Sequence, residues 1–282
     1  MKKILCLSLV LIMCLFACIS CGKSEELLIG KTYAPQTAQS DVLLQLKSGN
    51  IDVGVMDSIM AGYYMSQDSA YSDSLMIVED LTLATEQYGI AARKGSGLTK
   101  KINEALIALA KAGVVDSLAA KYGIATELCI DKNATVEPLT ASEMVDWNNI
   151  VAADKFIVGY TLFAPIAYEE DGELIGFDIE LAELVADYLD LDVEFTIIEW
   201  AAKEAKLNGG SIDCIWNGMT INEERLAAME ISIPYLNNKQ VAVIRKADKD
   251  TYTTVESMKD AIMGAEAGSA GESCIKAPEA TE

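Results

Sequence analysis

The chain has 282 residues, room for one two-lobed domain or two modest ones, and its 51% hydrophobic content is enough for a buried core. Its 22 Lys and Arg stand against 43 Asp and Glu, a net charge of −21, which argues against nucleic acid as a partner because phosphate neutralisation supplies much of that affinity. Histidine is absent, which excludes Ser-His-Asp and Cys-His catalysis and any imidazole metal site, and no cofactor is expected. Of the seven cysteines, Cys6, Cys14, Cys18 and Cys21 sit near the start, while Cys129, Cys214 and Cys274 are isolated. They allow one disulfide but neither a zinc cluster nor a disulfide scaffold; scattered cysteines of this kind usually pack as small hydrophobes.

In chain order, Lys2 and Lys3 precede an apolar run from Ile4 to Ser20. That run is short for a membrane span, and the chain turns polar at Gly22, so residues 1–20 read as a secretory signal. Because it ends at cysteines, it resembles a bacterial lipoprotein signal. The resemblance implies a lipid on a new N-terminal cysteine, a short tether over 21–26, and an extracytoplasmic protein anchored to the cell membrane. Leu15-Phe16-Ala17-Cys18 has the better leucine; Cys21 lies at the polar boundary and is favoured over Cys18. An ordinary cleaved signal is the alternative. Gly22-Lys23-Ser24 does not close a phosphate-binding loop, since that motif needs glycine where Ala17 stands.

Beyond the tether, strand-like runs fall at Leu27–Gly30, Ile51–Met56, Leu75–Glu79 and Gln87–Arg93. A second set follows at Lys155–Tyr160, Val193–Ile198, Ile212–Trp216, Gln240–Arg245 and Ile262–Ala265. Helical patterns occupy Ser40–Lys47, Leu98–Tyr122 (capped near Thr99, stopped at Gly123) and Asp178–Leu189. Strands alternating with helices predict an α/β architecture with largely parallel sheets. Residues 126–154 are polar, carry Pro138 and show no sustained period, so they read as a linker or surface excursion.

Two stretches echo each other. Leu46-Lys47-Ser48-Gly49-Asn50-Ile51-Asp52 matches Leu207-Asn208-Gly209-Gly210-Ser211-Ile212-Asp213: a helix end, a glycine stop, then a strand opening with Ile-Asp. More loosely, Gln87 to Arg93-Lys94 pairs with Gln240 to Arg245-Lys246. Two sub-structures of similar design are expected.

Residues 155–270 resemble the first part of bacterial extracellular solute-binding proteins for amino acids, family 3. The resemblance rests on Phe156-Ile157-Val158-Gly159-Tyr160 with Pro165, Gly176-Phe177-Asp178-Ile179-Glu180-Leu181-Ala182, Gly210 to Thr220 with Arg225, Ser232-Ile233-Pro234-Tyr235, and Gly268-Ser269-Ala270-Gly271. Residues 36–123 resemble the rest of the family, through Leu46 to Asp57, Tyr88-Gly89-Ile90-Ala91, Arg93-Lys94-Gly95, Asn103 with Ala105-Leu106, and Lys121-Tyr122-Gly123. The family's C-terminal half therefore precedes its N-terminal half. The chain is either a circular permutant, its two ends meeting in space, or a tandem or truncated arrangement.

The resemblance implies a two-lobed, type II periplasmic-binding-protein-like fold, each lobe a sheet flanked by helices, joined by two hinge strands. One lobe takes 87–125 and 155–245, the other 27–84 and 248–282, with 126–154 as linker. A free, polar amino acid binds between the lobes, which close on it, and a membrane permease of an ABC importer is the partner. Carried over residue by residue, Arg225 grips the ligand carboxylate, as a guanidinium can with parallel N–H bonds. Gly218 allows close backbone approach, with Asn217 beside it and Thr220 offering a hydroxyl. Ser269 supplies the other lobe's grip on the carboxylate, and Asp57 the partner for the ammonium, when it is not merely a helix cap. Tyr160, Phe163 and Trp216 wall the side-chain pocket. Where the family often has an acidic or small polar residue after the first strand, this chain reads Tyr160-Thr161-Leu162, which weakens the case for a basic ligand.

An enzyme is not expected. The same fold carries a few lyase and glycan-cleaving activities, but without histidine these need paired carboxylates, and the acids here form no such motif. The alternatives are a sensor or other non-transport binding protein, or an incomplete tandem fragment.

Overall fold

A computed structural model describes residues 27–67 and 69–276. The chain opens with β1 (Thr32–Gln36), α1 (Gln39–Ser48), β2 (Val53–Asp57), α2 (Ser58–Gln67), α3 (Ser69–Ser72) and the long β3 (Leu75–Arg93). Then come α4 (Leu98–Lys111), α5 (Val114–Lys121), α6 (Ala141–Ala153), β4 (Lys155–Tyr160), the hairpin β5 (Tyr168–Glu170) and β6 (Glu173–Ile175), and α7 (Phe177–Leu189). The rest is β7 (Asp192–Ile197), α8 (Lys203–Asn208), β8 (Cys214–Thr220), α9 (Glu223–Ala228), β9 (Met229–Ile231), β10 (Leu236–Arg245), β11 (Ile262–Glu266) and α10 (Ala270–Ile275).

The class is mixed α/β. Nine strands hydrogen-bond in one sheet, in the order β1-β11-β2-β10-β3-β8-β4-β7, with β9 beside β3. Both outer flanks are parallel, β1-β11-β2 on one side and β8-β4-β7 on the other. The centre is antiparallel, because β3 and β10 cross it as long extended strands. The expectation of largely parallel sheets thus holds for the flanks alone. Apolar residues of both flanks merge in one large cluster that includes Leu43, Met60, Tyr88, Phe156, Phe177 and Trp216.

Both sequence echoes become one structural device, used twice. Arg93, at the end of β3, donates from Nη1 to the Ile212 carbonyl at 2.8 Å and from Nη2 to Asp213 at 2.9 Å. Arg245, at the end of β10, donates likewise to the Ile51 carbonyl at 2.6 Å and to Asp52 at 3.0 Å. Each aspartate's other oxygen takes a neighbouring strand's N–H, from Ile157 and Ile262 respectively. The Ile-Asp joints therefore lock each central strand to the opening of a flank strand.

The described ends of the chain meet. Leu27 bridges Lys276, and the Leu28 N–H reaches the Ile275 carbonyl at 2.7 Å. Residues 27–57 and 262–276 consequently build the same flank. Cys18, Cys21, the signal over 1–20, the tether over 21–26 and the stretch 277–282 lie outside the described residues.

Four expectations change. Leu27–Gly30 makes only a single bridge, and the strand starts at Thr32. Leu75–Glu79 and Gln87–Arg93 are one strand, bulged against β10, because the polar stretch between them still pairs. The helix expected over Leu98–Tyr122 breaks at Gly113, whose φ of 76° is left-handed. Residues 126–154 contain α6, closed by a capping box between Thr140 and Glu143. That helix buries only Glu143 and Ile150 and exposes Met144, Val145 and Val151, so no apolar period announces it. It docks through polar contacts, Lys100 to Glu143 at 2.7 Å and Ser96 to Asp146 at 2.5 Å.

Candidate functional site

Between the two flanks lies a narrow cavity, lined from both sides. From the β2 flank come Gln39, Asp57, Glu266, Ser269 and Ala270; from the β8 flank come Thr161, Leu162, Phe163, Trp200, Asn217, Gly218 and Thr220.

Asp57 ends β2 and is 5% exposed. Its Oδ1 accepts from Tyr88 Oη at 2.6 Å, Asn238 Nδ2 at 2.5 Å and Gln240 Nε2 at 2.8 Å, and its Oδ2 accepts from Gln39. Asn238 and Gln240 also donate to Glu86, which in turn accepts from the Thr220 hydroxyl at 2.9 Å. Burial, reinforced by the nearby Glu86, holds the Asp57 carboxyl well above the usual range. The two carboxyl groups thus share the Asn238 and Gln240 amides of β10.

On the opposite wall, adjacent residues of β8 face opposite ways, so Asn217 reaches the cavity while Trp216 goes into the core. Gly218 has φ 59°, and a Cβ there would stand 2.7 Å from the Phe163 ring and 3.0 Å from Tyr88. Its N–H is taken by Asp178 Oδ2 at 3.0 Å, which also accepts from Tyr235 at 2.8 Å. Burial pushes the Asp178 carboxyl up to about 7, against the pull of those two donors.

Cations gather where the flanks touch. Arg225, 6% exposed, donates to the Thr220 carbonyl at 2.9 Å and across to the Gly268 carbonyl at 3.3 Å. Asn222 caps its short helix by accepting the Arg225 N–H. Lys203, 5% exposed, donates to the same Gly268 carbonyl at 3.1 Å and lies over the Trp200 ring. Burial and the neighbouring Arg225 push Lys203 down to about 8. Glu266, 4% exposed, lies nearby; burial pushes its carboxyl up to about 8 although Lys203 pulls it down.

Of the residues expected from sequence, Asp57, Phe163, Asn217, Gly218, Thr220 and Ser269 line the cavity together. Arg225 sits behind them at the contact between flanks. Tyr160 and Trp216 do not line it and are corrected. Tyr160 packs edge-on against Phe195, and Trp216 is fully buried beneath Asn217. Ser269 also caps α10, accepting the Glu272 N–H, and that helix has only six residues. Gln39, Trp200, Lys203 and Glu266 escaped the sequence reading. Only Glu266 had a signal, two residues before the quoted Gly268-Ser269; Gln39 is a polar residue at the very start of α1, Trp200 lies in a turn and Lys203 opens the six-residue α8.

Buried ionisable groups of both signs around one cavity suit a small polar ligand. Residues 156–267 match the bacterial extracellular solute-binding proteins, family 3. The probable amino-acid-binding protein YxeM of Bacillus subtilis is 30% identical over 105 residues, 37% of this chain and 39% of YxeM. The L-cystine-binding protein TcyJ of Escherichia coli is 28% identical over 103 residues, 36% of this chain and 39% of TcyJ. A crystal structure of an ABC uptake transporter substrate-binding protein from Streptococcus pneumoniae, with bound histidine, is 34% identical. The match covers 29% of this chain and 35% of that one, with a TM-score of 0.29. The chain spans 39% of the length of both curated relatives.

Proposed function

We propose that the protein is the extracytoplasmic amino-acid-binding component of an ABC importer, held at the membrane by a lipid on Cys21, with Cys18 as the alternative. The observation that carries the reading is the cavity lined by Asp57 on one flank and by Asn217, Gly218 and Thr220 on the other, with Arg225 buried just behind it. An amino acid has a carboxylate and an ammonium, and each needs a buried partner of opposite charge. Arg225 takes the carboxylate, with Thr220 and Ser269 beside it, and Asp57 takes the ammonium. Phe163, Asn217 and Gly218 shape the remaining wall.

The two flanks are the lobes, 87–125 with 155–245 and 27–84 with 248–282, and β3 and β10 are the strands on which they hinge. The meeting of Leu27 with Lys276 supports a circular permutation of the family's order. The closed lobes present the surface a permease reads. Sequence similarity to amino-acid-binding relatives over residues 156–267 supports transport over an enzymatic role.

The test is thermal unfolding of the purified chain with each common amino acid in turn. One or two of them should raise the midpoint, since a ligand at a hundredfold excess over its dissociation constant adds about 2.7 kcal/mol. No shift with any amino acid overturns the reading.

A further inference from the structure

We propose that Glu86 is a positioning residue for the ligand's ammonium: without touching the ligand, it turns the Thr220 hydroxyl and ties it to Asp57 in one row across the sheet. The inference rests on the amino-acid-binding reading and adds a residue to the same site.

The row follows from strand register. Strands β2, β10, β3 and β8 are successive neighbours in the sheet. Gln240 lies opposite Asp57, Asn238 opposite Glu86, and Tyr88 opposite Thr220. Residues two apart on a strand share a face, so Asn238 goes with Gln240 and Glu86 with Tyr88. Side-chain hydrogen bonds run along that face. The Thr220 hydroxyl donates to Glu86 Oε2 at 2.9 Å. Glu86 Oε1 accepts from Asn238 Nδ2 and, at 2.8 Å, from Gln240 Nε2, and the same two amides donate to Asp57 Oδ1. Tyr88 closes the row by donating to Asp57 at 2.6 Å. Asp57 and Thr220 line the cavity from opposite flanks, whereas the half-buried Glu86 faces a separate surface groove beside Asn237 and Lys239.

An ionised carboxylate only accepts hydrogen bonds. The Thr220 hydroxyl therefore points its hydrogen at Glu86 and leaves its lone pairs for a donor. In the cavity that donor is the ligand's ammonium, which Asp57 meets from the other flank. The main chain of Thr220 stays with the carboxylate's partner, because Arg225 donates to the Thr220 carbonyl at 2.9 Å. A glutamine at position 86 reverses this polarity. Its oxygen must face the two amides of β10, so its NH2 faces Thr220. The hydroxyl then accepts from that NH2 and sends its own hydrogen toward the ammonium.

The test is calorimetric titration of the purified full chain, of Glu86→Gln, of Thr220→Val and of the double variant. The probe is the common amino acid that most raises the wild-type melting temperature. Each single substitution should weaken binding about tenfold or more, the span of a hydrogen bond to a charged group. The two losses should not multiply: once the hydroxyl is gone, Glu86→Gln should change affinity by less than about twofold. A row that merely held the strands together would leave the two losses independent. Circular dichroism checks that the variants are folded; if Glu86→Gln is not, Glu86→Ala takes its place in the same cycle. An affinity unchanged by the Glu86 substitution, or an equal loss with and without the Thr220 hydroxyl, overturns the assignment of Glu86 while amino-acid binding stands. Absence of binding by any amino acid overturns both.

Discussion

Arg225 shows what a single side chain decides here. Its fork joins the Thr220 carbonyl of one flank to the Gly268 carbonyl of the other. Arg225→Lys keeps the charge but not the fork, so amino-acid affinity should fall about tenfold to a hundredfold by calorimetry. Asp178 decides something different. Buried behind Gly218, it keeps its proton up to about pH 7 in the folded chain, whereas an unfolded aspartate releases it near pH 4. The folded state holds the extra proton across that window. Its contribution to stability is therefore full below about pH 4 and is lost as pH rises through about 7. The melting temperature should fall from pH 4 to 7 in the wild type and less steeply in Asp178→Asn; equal slopes would sink the account. Among these residues, Arg225, Asp57 and Gly218 are legible in sequence because they sit in motifs. Lys203 and Gln39 are not, since what makes them site residues is burial against partners far away in the chain.

At the scale of elements, hydrophobic period and glycine stops locate β2, β4, β7, β11, α1 and α7 to within a few residues. They fail where polar contacts do the holding. Helix α6 is pinned through Glu143 and Asp146 and has no apolar stripe to betray it. The break between α4 and α5 was also hidden, because the apolar pattern continues across it. Gly113 makes that break with φ 76° and has nothing within 4 Å of a Cβ position. Gly113→Ala should therefore cost only the left-handed conformation, about 1 kcal/mol, read from the urea midpoint. The paired Arg93–Asp213 and Arg245–Asp52 joints are the opposite case, where a repeated short pattern in sequence becomes a repeated structural device.

For the whole molecule, the order of the segments matters less than where their ends fall. Because Leu27 and Lys276 pair, a chain rearranged so that residues 155–276 precede 27–154 through a short linker should keep one cooperative unfolding transition and the same ligand. A rearranged chain that unfolds broadly or loses binding would refute the permuted-lobe reading. By itself the sequence determined the α/β class, the repeated Ile-Asp joints, the family resemblance, and half of the residues that line the cavity. These follow from local patterns: spacing of apolar residues, glycine stops and short motifs. Only the tertiary structure decided that Tyr160 and Trp216 belong to the packing, that the sheet is antiparallel at its centre, and that Glu266 lines the cavity. Those facts depend on which way a strand's face turns and on which distant groups meet a buried charge, and no local pattern encodes either.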